Sequence, residues 1–242
     1  MRWIEGRVHV EDSVGMPRAA SGRLLQHSFF ADMPAVTLGL VRAQGSSLCF
    51  GPIELLRFGR ARVTRTRVEW PIEGGLAARR AGGIFAIESA GGRMTTSVDG
   101  YRPLLPRAIY LVTQLPIHHL VTRLHLLRVR GREPAPGVRA DPASRFQAAA
   151  IDVALCVTLA RLSERRPSWR FLLGVAASYH VACWSISGRT LGGLVMRQRV
   201  VAADGSRPSV GQAILRLLAL PLAALRRRPE HDAVAGTDVV DG

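Results

Sequence analysis

Residues 130–137, Arg-Gly-Arg-Glu-Pro-Ala-Pro-Gly, divide the chain into two textures. Their two prolines and two glycines interrupt any regular element. Before them, short runs of alternating apolar and polar residues are separated by glycine-containing turns. After them come three apolar segments at 144–162, 169–187 and 213–225. A period of two suits strands and long apolar runs suit helices, so the fold class is read as α+β. Residues 1–130 form a soluble β-rich α+β domain, 131–143 a Pro/Gly linker, and 144–242 a small all-α membrane domain of two spans plus a short third helix.

The first part reads as an antiparallel meander. Ser47–Phe50, Ile53–Phe58 and 61–70 are short runs, the third alternating strictly, with Arg65 and Arg67 on one face and Thr64, Thr66 and Val68 on the other. The pairs Gly74-Gly75, Gly82-Gly83 and Gly91-Gly92 are spaced as hairpin turns would be. From Arg107 to Arg130, Ile109, Val112, Leu115, Leu120, Leu124 and Leu127 approximate helical spacing, interrupted at Pro116. A broken helix therefore closes the sheet.

In the second part, the segments at 144–162 and 169–187 come close to the roughly 20 residues that span hydrocarbon. Asp152 breaks the first and His180 the second, so hydropathy alone leaves a buried core helix open as an alternative. The third segment contains Pro221 and is short for a span, which leaves a re-entrant helix and a full crossing both open. No apolar h-region follows Met1, so no secretory signal is expected.

The formal charge is +15, from 33 basic and 18 acidic side chains, and every basic one is arginine. Such a charge invites nucleic acid, an anionic surface, or codon usage in a GC-rich genome. The absence of lysine favours the last, because phosphate binders use lysine well as a point charge. No basic motif interleaved with aromatics occurs, and nucleic acid is not an expected partner. Three cysteines without a CxxC argue against a disulfide scaffold or a cysteine-rich zinc site. Cys156 and Cys183 read as small packing residues.

Three stretches carry a resemblance. They are Arg145-Phe-Gln-Ala-Ala-Ala-Ile-Asp152; Ser187-Gly-Arg-Thr-Leu-Gly192 followed by Arg199-Val-Val-Ala-Ala-Asp-Gly205; and Glu230-His-Asp232 with Ala235-Gly-Thr237-Asp-Val-Val240. In that order, over about residues 144–240, the chain resembles the RDD family of small integral-membrane proteins, named for one arginine and two aspartates. The resemblance maps those three to Arg145, Asp152 and Asp232. Gly193 stands where the family commonly has lysine. The resemblance implies a bacterial-type plasma (inner) membrane protein of multi-pass topology, with at most a role in ion or small-solute transport.

Arg145 and Asp152 are seven residues apart, two turns of one helix face and roughly 10.5 Å along its axis, too far for an easy direct pair. Ala148 and Ala149 between them allow another helix to approach closely. A charge at mid-bilayer costs about 2.5–3.5 kcal/mol, so each charge is expected to find its partner on another element: Arg189, Arg216 or His180 for Asp152, and Asp232 for Arg145. With His231 these residues form the candidate intramembrane polar network, either functional or a register lock. Gly188, Thr190 and Gly192 read as an interfacial turn that ends a helix, with Met196, Val200 and Val201 facing lipid and Arg197 and Arg199 reaching headgroups. That turn lacks the Lys-Ser/Thr ending of a phosphate loop. His118, His119 and His125 lack an acidic third ligand, as no Asp or Glu occurs between Asp99 and Glu133; they read as solvated or interfacial. No catalytic constellation and no cofactor or metal site is expected, and the chain is not read as an enzyme.

Arginines flanking the first two segments, eight against four, place the N-terminal domain in the cytoplasm. Expected partners are the bilayer and either a second copy or another membrane protein, since three short helices are few to enclose a pathway. The alternative function is a non-catalytic anchor whose basic N-terminal domain binds an anionic partner or lipid headgroups.

Overall fold

The computed structural model describes residues 1–226 and 230–242. Arg227, Arg228 and Pro229 lie outside the described residues. The chain forms two compact units, Met1–Gly131 and Arg132–Gly242.

The first unit contains β1 (Arg2–Ile4), β2 (Arg7–Gly15), α1 (Gly22–Val36), β3 (Val41–Gln44), β4 (Ser47–Phe50), β5 (Ile53–Phe58), β6 (Arg62–Val63), β7 (Arg67–Gly74), β8 (Ile84–Ala90), β9 (Arg93–Tyr101), α2 (Arg107–Val112) and α3 (Gln114–Arg130). Nine antiparallel strands make one sheet, in the order β1-β2-β9-β8-β7-β5-β4-β3, with β6 also paired to β7. The Gly91-Gly92 turn joins β8 to β9 as expected, with both glycines at positive φ (57° and 70°), where side chains with a Cβ are disfavoured. Gly74-Gly75 and Gly82-Gly83 instead bracket a single loop, tied down by a bridge from Ala78 to Pro103 and by the Leu76 and Ala77 N–H groups donating to the Glu54 and Leu55 carbonyls.

The run at 61–70 is not one strand. It folds back at Thr64–Thr66, because α1 begins against that turn: the Gly22 N–H donates to the Arg65 carbonyl (2.9 Å). A Cβ on Gly22 would collide with the Thr64 carbonyl oxygen. Alternation alone could not reveal a turn stabilised by a helix forty residues earlier. The sequence reading also missed α1, although Leu25, Phe29 and Met33 repeat every four residues and are buried, and the Ser21 Oγ caps the Leu24 N–H. The closing helix is broken as expected. The break falls at Thr113, between α2 and α3, and leaves Pro116 in the first turn of α3, where a missing N–H costs no intrahelical bond.

The core lies on the helical side of the sheet. Phe29 contacts Phe58, Trp70, Phe85 and His125 at ring-centroid distances of 4.7–5.9 Å, and each such ring contributes about 1.5–3 kcal/mol by burial. Two of the three histidines contact a carboxylate, and of these His125 is buried while His119 stays partly exposed to solvent. His125 is fully buried with Nδ1 3.2 Å from Asp32, which also accepts from Arg128 Nε (2.8 Å). His119 Nδ1 lies 2.7 Å from Asp12, which accepts from Thr122 Oγ1 as well (2.9 Å). Burial pushes His118 down to about 4 from 6.5, although nearby Asp12 pulls it up. A base depressed in the fold stays neutral while the unfolded chain protonates, so its stabilisation is complete above pH 6.5 and is lost as pH falls toward 4. Thermal melts should therefore fall over that window, and His118→Gln should flatten the profile; an unchanged slope in the variant would assign it elsewhere.

The second unit contains α4 (Pro142–Ser163), α5 (Trp169–Ile186), α6 (Leu191–Val195), β10 (Gln198–Ala202), α7 (Val210–Arg226), α8 (Glu230–Ala235) and β11 (Thr237–Asp241). It is not all-α: β10 and β11 pair antiparallel, from Gln198 opposite Asp241 to Ala202 opposite Thr237. Val200 and Val201 are consequently buried in this ribbon instead of facing lipid. The expected linker is also part of the unit. Ala140 N–H donates to the Val239 carbonyl (3.0 Å), and Ala140 is buried beside Trp184, Val200, Ala213 and Val239.

Candidate functional site

Asp141 caps α4, its Oδ2 accepting from Ala143 N–H (2.9 Å) and Ser144 N–H (3.2 Å), and Pro142 follows in the first turn. Along α4, Ala148, Asp152, Cys156 and Ala160 form a buried stripe at four-residue spacing. Its other faces expose Phe146 (76%), Val153 (59%) and Leu162 (80%). Charge inside with large apolar residues outside inverts the arrangement of a helix in a water-soluble protein. Among the described residues, α4 is the one helix long and apolar enough to cross a membrane. Helix α5 has the length, but Arg170, Tyr179 and His180 lower its hydropathy; α7 is a shorter apolar helix.

Two buried polar clusters occupy this unit. In the first, Asp152 Oδ1 accepts from Tyr179 Oη (2.8 Å) and from the Gly192 N–H (2.8 Å), and Tyr179 Oη in turn accepts from the Leu191 N–H (2.7 Å). The carboxylate thus ties α4 to α5 and to the start of α6. Gly188 ends α5 at φ +75°, its N–H bonded to the Cys183 carbonyl (3.0 Å), and a Cβ there would sit 2.8 Å from the Val200 carbonyl oxygen. Thr190 caps α6 through Gly193 N–H (3.0 Å). Gly192 faces the α4 backbone so closely that a Cβ would collide with the Ala148 carbonyl oxygen. The three turn residues therefore work by backbone geometry and capping.

The second oxygen of Asp152 faces His180 Nε2 at 4.0 Å, beyond hydrogen-bond distance. His180 Nδ1 lies 2.8 Å from the Ala176 carbonyl. A carbonyl only accepts, so Nδ1 carries the proton, and in the neutral ring Nε2 presents its lone pair toward the carboxylate. Two lone-pair groups facing one another are arranged to share a proton or a cation.

The second cluster centres on Asp232. Its Oδ2 accepts from Arg145 Nη2 (2.7 Å), and Oδ1 pairs with Arg216 Nη1. Arg216 Nη1 also donates to Thr237 Oγ1 (2.9 Å), and its guanidinium stacks 5.0 Å from the Trp184 ring. His231 Nε2 lies 3.6 Å from Asp232 Oδ1. Asp238 takes Arg132 Nη1 (2.7 Å). Trp184 separates the clusters, packing on His180 (5.0 Å between centroids) on one side and Arg216 on the other.

Arg145 therefore meets Asp232 as the sequence implied, while Asp152 takes neither arginine. Arg216 is committed to Asp232; the Arg189 backbone bonds the Ser187 hydroxyl, and its guanidinium lies beside Gly242. Sequence reasoning missed Tyr179, Trp184 and Thr237. Tyr179 and Trp184 flank His180 at one and four positions, a signal that an intramembrane histidine could have directed attention to.

Residues 167–228 match the model of the RDD family. The matched RDD segment holds α5, α6, β10 and α7, and with them His180, Gly188, Arg189, Thr190, Gly192 and Arg216. Arg145, Asp152 and Asp232 lie outside it, but the two aspartates bond residues of the matched segment: Asp152 bonds Tyr179 and Gly192, and Asp232 bonds Arg216. Beside this match, α4 is long and apolar enough, by length and composition, to cross a membrane. Neither a curated protein nor a solved structure matches the chain.

Proposed function

We propose that the C-terminal unit lies in a plasma membrane of bacterial type, as a multi-pass domain that takes part in ion or small-solute transport. In this reading Asp152 and His180 exchange the proton or cation. The observation that carries it is the buried carboxylate oxygen facing His180 Nε2 at 4.0 Å, with no arginine bonded to Asp152 among the described residues. Intramembrane ionisable groups kept off the lipid and without a fixed counter-charge mark ion pathways. The Asp232 cluster, held by two arginines, acts as a register lock and stays static. Too few helices surround Asp152 to enclose a path, so the transporting form is an oligomer or a complex with another membrane protein.

Proton and sodium flux into sealed vesicles tests this. Asp152→Asn keeps an acceptor for Tyr179 and Gly192 but removes the charge; it should melt near wild type and lose at least tenfold in flux. Wild-type flux in the variant removes Asp152 from the path. No flux from the native chain above empty vesicles favours the anchor reading instead. Release of the protein by alkaline carbonate would overturn membrane embedding altogether.

A further inference from the structure

The first unit encloses a cavity of about 540 Å³ between the helical side of its sheet and helices α1, α2 and α3. Protein interiors are packed at crystal density with few voids larger than a water molecule, whereas ligand cavities run from about 300 to 1,000 Å³. The space is not left by a shortage of large side chains, because the cluster of Phe29, Phe58, Trp70 and Phe85 is tightly packed beside it.

Three observations define what it would hold. First, the wall is apolar, with Met33, Leu56, Val98 and Val121 among its residues. Second, no arginine, aspartate or glutamate lines it, in a chain with 33 basic side chains. The only titratable cation in the wall, His118, is held neutral near pH 7 by burial. A charged headgroup would lie there unpaired, at a cost of several kcal/mol. Third, the hydroxyls of Thr37, Thr113 and Thr122 in the wall donate to carbonyls of their own helices, whereas Tyr101 Oη donates to the Ala77 carbonyl and accepts from Gln114 Nε2 (2.8 Å). That leaves the Gln114 amide a second N–H and its carbonyl oxygen for a ligand. The rim is apolar and open: Leu76, Leu104 and Ile117 line the cavity and are 54%, 47% and 63% exposed.

We infer that the N-terminal unit holds a binding site for a neutral, largely apolar molecule of lipid type, its single hydroxyl or carbonyl group turned to Gln114. At about 30 Å³ per water-sized group, the space takes on the order of 18 methylene-sized groups. This site is separate from Asp152 and differs in chemistry from a surface for anionic headgroups.

The test uses the full chain in lipid nanodiscs, with empty discs as background, and the uncharged fluorophore N-phenyl-1-naphthylamine as probe. Saturable probe binding, displaced by 1-hexadecanol at lower concentration than by palmitate, is the expected result. Val121→Trp fills the cavity and should weaken probe binding at least tenfold. Gln114→Leu should leave the probe bound and weaken displacement by 1-hexadecanol several-fold; it also decides the matter if Val121→Trp does not fold. Undiminished probe binding in a folded Val121→Trp variant overturns the site, as does unchanged hexadecanol displacement in Gln114→Leu. Palmitate displacing better than the alcohol overturns the neutral class. Vesicle flux is unaffected by either variant, so this inference and the transport reading fail separately.

Discussion

Asp232→Ala is expected to destabilise the C-terminal unit by about 3–5 kcal/mol, the cost of leaving buried charges without their partner. Asp232 is 4% exposed and is shared by Arg145 and Arg216, and Arg216 is itself 4% exposed. With the carboxylate gone, two guanidinium groups remain together; Thr237 Oγ1 and the Trp184 face cannot neutralise them. The melting temperature should fall by on the order of 10 °C for a unit of this size. Asp232→Leu combined with Arg216→Met removes the two fully buried charges and leaves only Arg145, whose side chain is 26% exposed and can reach water. It should recover most of the loss, because a buried ion pair is often replaceable by packed apolar groups. A single variant that melts within about 2 °C of wild type would show that the cluster does not hold α4, α7 and α8 together.

Gly192→Ala should be comparably severe by a different mechanism. The added Cβ would meet the Ala148 carbonyl oxygen of α4, and backbone cannot yield as a flexible side chain tip would. Helix α6 must move away, and Asp152 then loses the Gly192 N–H, a charge-assisted bond inside the unit. Overpacking costs about 1–3 kcal/mol and the lost bond about 1.5–3 kcal/mol more. Ala148→Gly in the same chain should not rescue it, since the clash is with the backbone oxygen and not the methyl group. Thermal melts of both variants check this; rescue by Ala148→Gly would mean that side-chain crowding, not backbone approach, requires the glycine.

These outcomes separate the two aspartates. Asp232 is bound by opposite charges on two sequence segments, α4 and α7, which makes it a fastener. Asp152 is bound by neutral donors on one oxygen and faces His180 with the other, and it is this arrangement on which the transport proposal rests.

Much of this was written in the chain. The change of texture near residue 130 matches the division into Met1–Gly131 and Arg132–Gly242, because a period of two and a period near 3.6 bury different faces. The membrane-length apolar run of α4 was legible, as was the likeness to the RDD family, whose model matches residues 167–228. The caps of α4 and α5, Asp141 and Ser168, were missed although they are local chemistry. Pairing was not legible. Residue types say that Asp152 needs a partner, but whether Arg216 or Tyr179 supplies it depends on how α4, α5 and α7 pack. The ribbon of β10 with β11 brings Thr237 and Asp232 to α7, and that ribbon joins strands nearly forty residues apart. The cavity is further still from sequence, being a space bounded by residues from Phe29 to Thr122. Short-range periodicity sets each element and its buried face; only the assembled unit fixes which charges meet and where the packing stops.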